Sequence, residues 1–213
     1  MTTDTATPGL RERKRLATRR AIQLAVLDLV VERGLDGVTV DEISRVADVS
    51  PRTFFNYFAS KEEALLGNPP ELPSGGQVEE FVNGGTPGSF LDDITRLLIS
   101  AGESITNDVE MMQRRHALLK QYPHLFAMRM ATMRKFEEQV AAVIARRLGA
   151  DDPTLAADPI RLGERARLIT LVSFGAMRHA WTCWANGESP AKLSERLTEA
   201  FTELKTLFAS PRA

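Results

Sequence analysis

Arg52, Thr53 and Asn56 stand within five residues of one another, directly after Ser50 and Pro51. These are the side-chain types that read base edges in a DNA groove: Arg forks onto guanine, Asn onto adenine, and a Thr methyl meets the thymine methyl. Tyr57 and Lys61 follow at spacings suited to phosphate contacts, which position a protein on a duplex without reading it. Thr39 opens an earlier helix, where free backbone amides and the dipole attract a phosphate. Each candidate also has a plainer reading. Thr39 and Ser50 can be helix caps and nothing more, which is the favoured reading for Ser50. Arg52 can be a solvated surface group, and Tyr57 stays open between packing and phosphate binding. Upstream, Arg11, Arg13, Lys14, Arg15, Arg19 and Arg20 form a basic run broken by Glu12. A local patch of this kind is what an electrostatic DNA footprint needs, and a charged helix start looks the same in sequence.

The elements that must hold these residues are legible from periodicity. A first helix is expected from about Leu10 to Arg33, with Ile22, Ala25, Val26, Leu29 and Val30 on one apolar stripe. Gly34 is its expected stop, in the left-handed region. Thr39 to Glu42 reads as a capping box opening a second short helix, with Ile43, Val46 and Ala47 inward and an end near Asp48. Ser50 as N-cap and Pro51 at the first helical position open a third helix to about Phe58. Phe54, Phe55 and Phe58 are expected mostly in the core. Two short helices about a tight turn make a helix-turn-helix. Ser60 to Glu63 starts a fourth helix, which the Gly67-Asn68-Pro69-Pro70 run cuts short.

The rest is helical in pattern. Helices are expected near residues 89–107, 108–121, 123–148, 160–186 and 190–209, with one long break at Asp151-Asp152-Pro153 and Asp158-Pro159. No β-alternating run or fixed repeat occurs, so the fold class is all-α. It divides into an N-terminal three-helix helix-turn-helix domain with a flexible arm (residues 1–67), a Pro/Gly-rich linker with a short helix (68–88), and a larger C-terminal helical domain (89–213).

Composition narrows the function. Net charge is −1 over 213 residues, which argues against bulk coating of nucleic acid and leaves a local patch open. No apolar run approaches the roughly 20 residues needed to span a bilayer, and residues 1–8 are polar, so no membrane role and a cytoplasmic location are expected. The single cysteine, Cys183, fits a reducing compartment. There is no Gly-rich phosphate loop and no zinc-type Cys/His spacing, so no catalytic residue, metal or cofactor is assigned.

The segment from Thr39 to Leu66, TVDEISRVADVSPRTFFNYFASKEEALL, resembles the DNA-binding signature of the TetR family. The first helix carries Thr18-Arg19, Ile22, Ala25, Leu29, Glu32 and Gly34 in family-like order. Residues 111–148 are also similar to the C-terminal domain of mycofactocin-regulator-type members. The resemblance implies a transcriptional repressor, not an enzyme. It would hold a pseudo-palindromic double-stranded operator, dimerise through its last two helices, and be released by a small-molecule effector of hydrophobic or acyl type. It also implies that the fourth helix transmits the signal, here interrupted at Pro69-Pro70. Two departures stand out: Asp48 where members often have Gly in the turn, and Phe55 where Tyr is common. The alternative is an all-α enzyme or ligand-binding protein with a vestigial DNA-binding domain.

Effector contacts are expected from the middle helices. The candidates are Phe90, Ile94, Leu98, Met112, His116, Phe126, Met130, Met133, Met177 and Trp184, beside wall residues such as Tyr122. Methionine suits adaptable apolar cavities, and the same stripe can be plain core. Arg114 and Arg115 are candidates for an anionic head group, with His116 and His179 as further polar groups. The last helix has Leu193, Leu197, Ala200, Phe201, Leu204, Leu207 and Phe208 at helical spacing. The one before has Leu171, Phe174, Arg178 and Trp181. Which stripe faces a partner stays open.

Overall fold

The computed structural model describes residues 9–68, 70–73, 76–84, 90–103, 108–186 and 191–208. The arm at residues 1–8, Pro69, the breaker at 85–88 and the last turn at 187–190 lie outside them. Eleven helices are described: α1 (Leu10–Arg33), α2 (Val40–Val46), α3 (Pro51–Tyr57), α4 (Lys61–Leu66), α5 (Gly76–Val82), α6 (Phe90–Glu103), α7 (Val109–Gln121), α8 (Pro123–Asp151), α9 (Pro153–Ala156), α10 (Pro159–Ala185) and α11 (Leu193–Phe208). No strand occurs among the described residues, and the protein is all-α.

The chain forms two compact units. One joins Met1–Gly67 with Arg114–Leu125, and the other joins Asn68–Gln113 with Phe126–Ala213. Residues 114–125 therefore group with the N-terminal helices rather than with the C-terminal stretch to which their position assigns them.

In the first unit the α1 stripe is buried as its spacing requires, with Ile22, Ala25, Val26, Leu29 and Val30 all inside. The caps form locally. The Glu42 amide donates to Thr39 Oγ1 at 3.3 Å, and the Thr39 amide donates to the Glu42 carboxylate at 3.0 Å, completing the capping box. The Thr53 amide donates to Ser50 Oγ at 3.0 Å, and the Glu63 amide to Ser60 Oγ at 3.2 Å. Gly34 stops α1 with φ 76° and ψ 163°. Its φ is positive as expected, but the ψ belongs to the glycine-only extended corner and not to the left-handed helical region. Asp48 takes the turn between α2 and α3 at φ 53°, the one positive φ outside glycine among the described residues. One inward assignment on α2 is overturned: Val46 is 55% exposed, and Ser44 is buried. Ile43 and Ala47 lie four apart on the inner face, and Val46 rotates away from it.

In the second unit, the stretch expected as a linker contributes α5, whose Phe81 and Val82 enter the core. Arg147 fixes it there, donating to the Phe81 carbonyl at 2.6 Å and to Asp151 at 2.6 Å, with Asp93 at 3.6 Å. The main core joins α5, α6, α8 and α10 through Phe81, Ile94, Leu98, Phe136, Val140, Ile144 and Ala166, with Phe201 from α11. A second cluster gathers Met112, Ala180, Trp184, Leu193 and Leu197. The long break of the sequence is tighter than its prolines suggest. Asp152 caps the single turn α9, and Asp158 caps α10 through the Arg161 amide at 3.0 Å.

Candidate nucleic-acid interface

The outward face of α3 carries Arg52, Phe55 and Asn56, all exposed, while Phe54 and Phe58 are buried. The two faces follow from helix geometry. Positions 54 and 58 lie four apart on one side, and 52, 55 and 56 share the other at spacings of three and four. Phe55 corrects the expectation of a core position: it is 56% exposed, its ring edge-on to Phe54 with centroids 5.4 Å apart. Thr53 is partly buried, and its hydroxyl lies 2.8 Å from that of Ser50. Both hydroxyls are thus engaged in the cap, with Thr53 less free to reach a base than Arg52 or Asn56.

Tyr57 is partly buried, and its carbonyl accepts a hydrogen bond from Arg19 at 3.1 Å. The same guanidinium lies 4.2 Å from the centroid of the Phe58 ring. Arg19 therefore ties α1 to the end of α3 by a hydrogen bond and a cation–π contact. It leaves the exposed Arg11, Arg13 and Lys14 as the free-standing part of the basic run. Arg15 spends its charge on Glu12 at 2.7 Å, and that hydrogen bond holds the Glu12 carboxyl below its ordinary pKa.

Lys61 is engaged differently from a pure phosphate contact. Its ammonium donates to the carbonyls of Leu35 and Val38, each at 2.8 Å, in the loop between α1 and α2. These carbonyls take two of its three N–H groups.

Position in sequence concealed a third set of residues in this unit. Arg114 pairs with Asp28 on α1. Arg115 is buried, and its Nε donates to the Leu65 carbonyl at 2.6 Å. Its guanidinium also covers Gly67, where a Cβ would lie 2.7 Å from Arg115 Cζ. Gly67 has φ 71° and ψ −172°, a conformation essentially confined to glycine. The Tyr122 hydroxyl accepts the Leu35 amide at 3.1 Å. The Arg pair thus has protein partners, and Tyr122 braces the first unit. His116 belongs to this segment as well. The signal available in sequence was only the cluster of hydrogen-bonding side chains between Arg114 and Tyr122.

The remaining effector candidates separate in the second unit. Phe90, Ile94, Leu98, Met133 and Met177 pack in the main core. Phe126 and Met130 are 51% and 40% exposed. Met112 and Trp184 share the second cluster. Trp184 also lines a cavity of about 260 Å³ with Ile99, Val109, Leu193, Leu197 and the exposed Lys192. A more polar cleft of about 240 Å³ lies beside Phe81, Asp93 and Arg96. On α10, Leu168, Leu171 and Val172 stand exposed on one face, and no described helix is long and apolar enough to cross a membrane.

A three-helix head with a capped third helix whose polar face is exposed, joined to a larger helical unit, is the arrangement of a helix-turn-helix regulator. Comparison with known proteins agrees. Residues 25–66 match the bacterial regulatory proteins of the tetR family, and residues 89–209 match the MftR C-terminal domain. The chain belongs to the TetR family of transcriptional regulators, with a C-terminal domain of the MftR type. It is 31% identical over 156 residues to the HTH-type transcriptional regulator TcmR of Streptomyces glaucescens, covering 68% of this chain and 66% of that one. It is 25% identical over 190 residues to a Mycobacterium tuberculosis protein named for the regulation of mycofactocin biosynthesis, MftR, covering 89% of this chain and 90% of that one. Its fold is similar to that of NalD, a repressor of a multidrug efflux pump in Pseudomonas aeruginosa. There the TM-score is 0.53 at 20% identity, over 87% of this chain and 96% of NalD.

Proposed function

We propose that this chain is a homodimeric repressor that leaves a pseudo-palindromic operator when a small hydrophobic or acyl-type ligand occupies its C-terminal unit. Arg52 and Asn56 read bases, while Tyr57 and the third N–H of Lys61 hold phosphates; Thr39 opens α2 as its cap. The exposed Leu168, Leu171 and Val172 on α10 support pairing of two copies through the last helices. Trp184 is the leading effector contact. Its cavity, about 260 Å³, lies just below the roughly 300–1,000 Å³ typical of small-molecule sites, and the lining Lys192 suits an acidic end group.

The observation that carries the reading is α7 itself. One continuous helix has Val109 on the cavity wall and Arg115 buried on Leu65 and Gly67. A ligand that binds better when α7 is displaced shifts the population away from the DNA-competent arrangement; without such a difference it releases nothing. This route does not depend on α4, which ends at Leu66.

Fatty acids and acyl thioesters of graded chain length, titrated against the full chain on a selected DNA duplex, test it. The expected result is release that depends on chain length and runs parallel to a change in tryptophan emission. Couplings of this kind typically change affinity by about 5- to 150-fold. Tight ligand binding with unchanged DNA affinity would refute the proposal.

A further inference from the structure

Phe55 is the one large apolar side chain that α3 turns outward, at 56% exposure, between the exposed Arg52 and Asn56. The core does not use it, because Phe54 and Phe58 already fill the inner side of the helix. Its ring lies edge-on to the buried Phe54, at 86° between planes. A large apolar group thus stands on the face whose neighbours carry base-reading chemistry.

Phenylalanine neither donates nor accepts a hydrogen bond, so it can hold no phosphate and read no polar base edge. In the major groove the 5-methyl group of thymine is the apolar feature that tells one base pair from another. We propose that Phe55 is a specificity-determining residue that reads a thymine methyl group in each half-site. The assignment rests on the DNA-binding reading of α3.

The test starts from a duplex selected by the full-length protein from a random pool. Each thymine is then replaced singly by deoxyuridine, which removes the methyl and leaves base pairing intact. Affinity is measured by fluorescence anisotropy for the native protein and for Phe55→Ala and Phe55→Leu. Burial of one methyl corresponds to about a fourfold change, from ~0.8 kcal/mol per group at ~1.4 kcal/mol per tenfold. The native protein should lose about fourfold at one position per half-site, and about the square of that when both half-sites are changed. Phe55→Ala should bind the thymine and deoxyuridine duplexes alike, and Phe55→Leu should keep part of the difference. Thermal unfolding of both variants should match the native protein, since the ring is exposed.

Indifference of the native protein to deoxyuridine at every position overturns the assignment. So does methyl sensitivity that persists in Phe55→Ala. If Phe55→Ala weakens both duplexes equally while the native protein shows no methyl preference, the ring packs on sugar and not on thymine. Failure to enrich any duplex overturns this inference together with the DNA-binding reading, whereas enrichment without methyl preference overturns this inference alone.

Discussion

Replacing Lys61 by methionine separates two roles that sequence alone cannot tell apart. Methionine keeps the length and helix propensity of the side chain and removes its ammonium. The native group donates to the carbonyls of Leu35 and Val38, each at 2.8 Å. The loop that carries those carbonyls buries the side chains of both residues, so it has little freedom to turn toward water. Hydrogen bonds to a charged group contribute roughly 1.5–3 kcal/mol each. The contacts here are partly buried, which places the two together at about 2–4 kcal/mol. Lys61→Met should therefore lower the urea midpoint of the DNA-binding unit, followed by helical circular dichroism on the intact chain. It should also weaken DNA binding at temperatures where that unit begins to loosen. The slope of log affinity against log salt should fall by about 1 as well, through the phosphate held by the third N–H; a lysine serving only as a phosphate contact would show that fall with stability within about 0.5 kcal/mol. An unchanged midpoint with a reduced salt slope would refute the loop-tethering role.

Arg52→Ala should cost roughly 1–3 kcal/mol of specific binding and relax preference at one base position, as read by gel-shift titration on single-base operator variants; unchanged operator affinity removes the base-reading role. Asp48→Gly should raise stability by about 0.5–1 kcal/mol, because a non-glycine residue is held at φ 53°, and a lower melting temperature would contradict this. Glu42→Gln should flatten the acid side of the stability curve. The Thr39 amide, then its hydroxyl, donate to the Glu42 carboxylate and hold its pKa below the ordinary carboxylate value. A lowered folded-state pKa means that this stabilisation is complete above the ordinary value. It is lost as pH falls through the window between that value and the lowered one. Equal acid sensitivity in the native and Gln proteins, measured as urea midpoint against pH, would count against the effect.

The first unit shows how far local rules carry. Thr39, Ser50 and Ser60 cap their helices because each finds its partner amide three residues on, a distance contained in the sequence. The α1 stripe, the short α4 ended at Gly67, and the division of α3 into an inner pair and an outer reading face follow from a 3.6-residue period. Asp48 holds the turn because a short acidic side chain tolerates positive φ better than most.

Other features required the chain to be folded. Lys61 was legible as a basic group near the interface, but its acceptors lie 23 and 26 residues away. Arg115 and Tyr122 find their hydrogen-bond partners at separations of 50 and 87 residues, and no periodicity encodes such pairings. Apolar residues lost their expected places for the same reason. Val46 and Phe55 face outward because their neighbours already occupy the inner surface. The sequence by itself determined the helices, their caps and the reading head, since these arise from interactions a few residues apart. Only the tertiary structure decided that residues 114–125 complete the DNA-binding unit and that Trp184 borders a cavity, because those arrangements depend on which distant surfaces exclude water together.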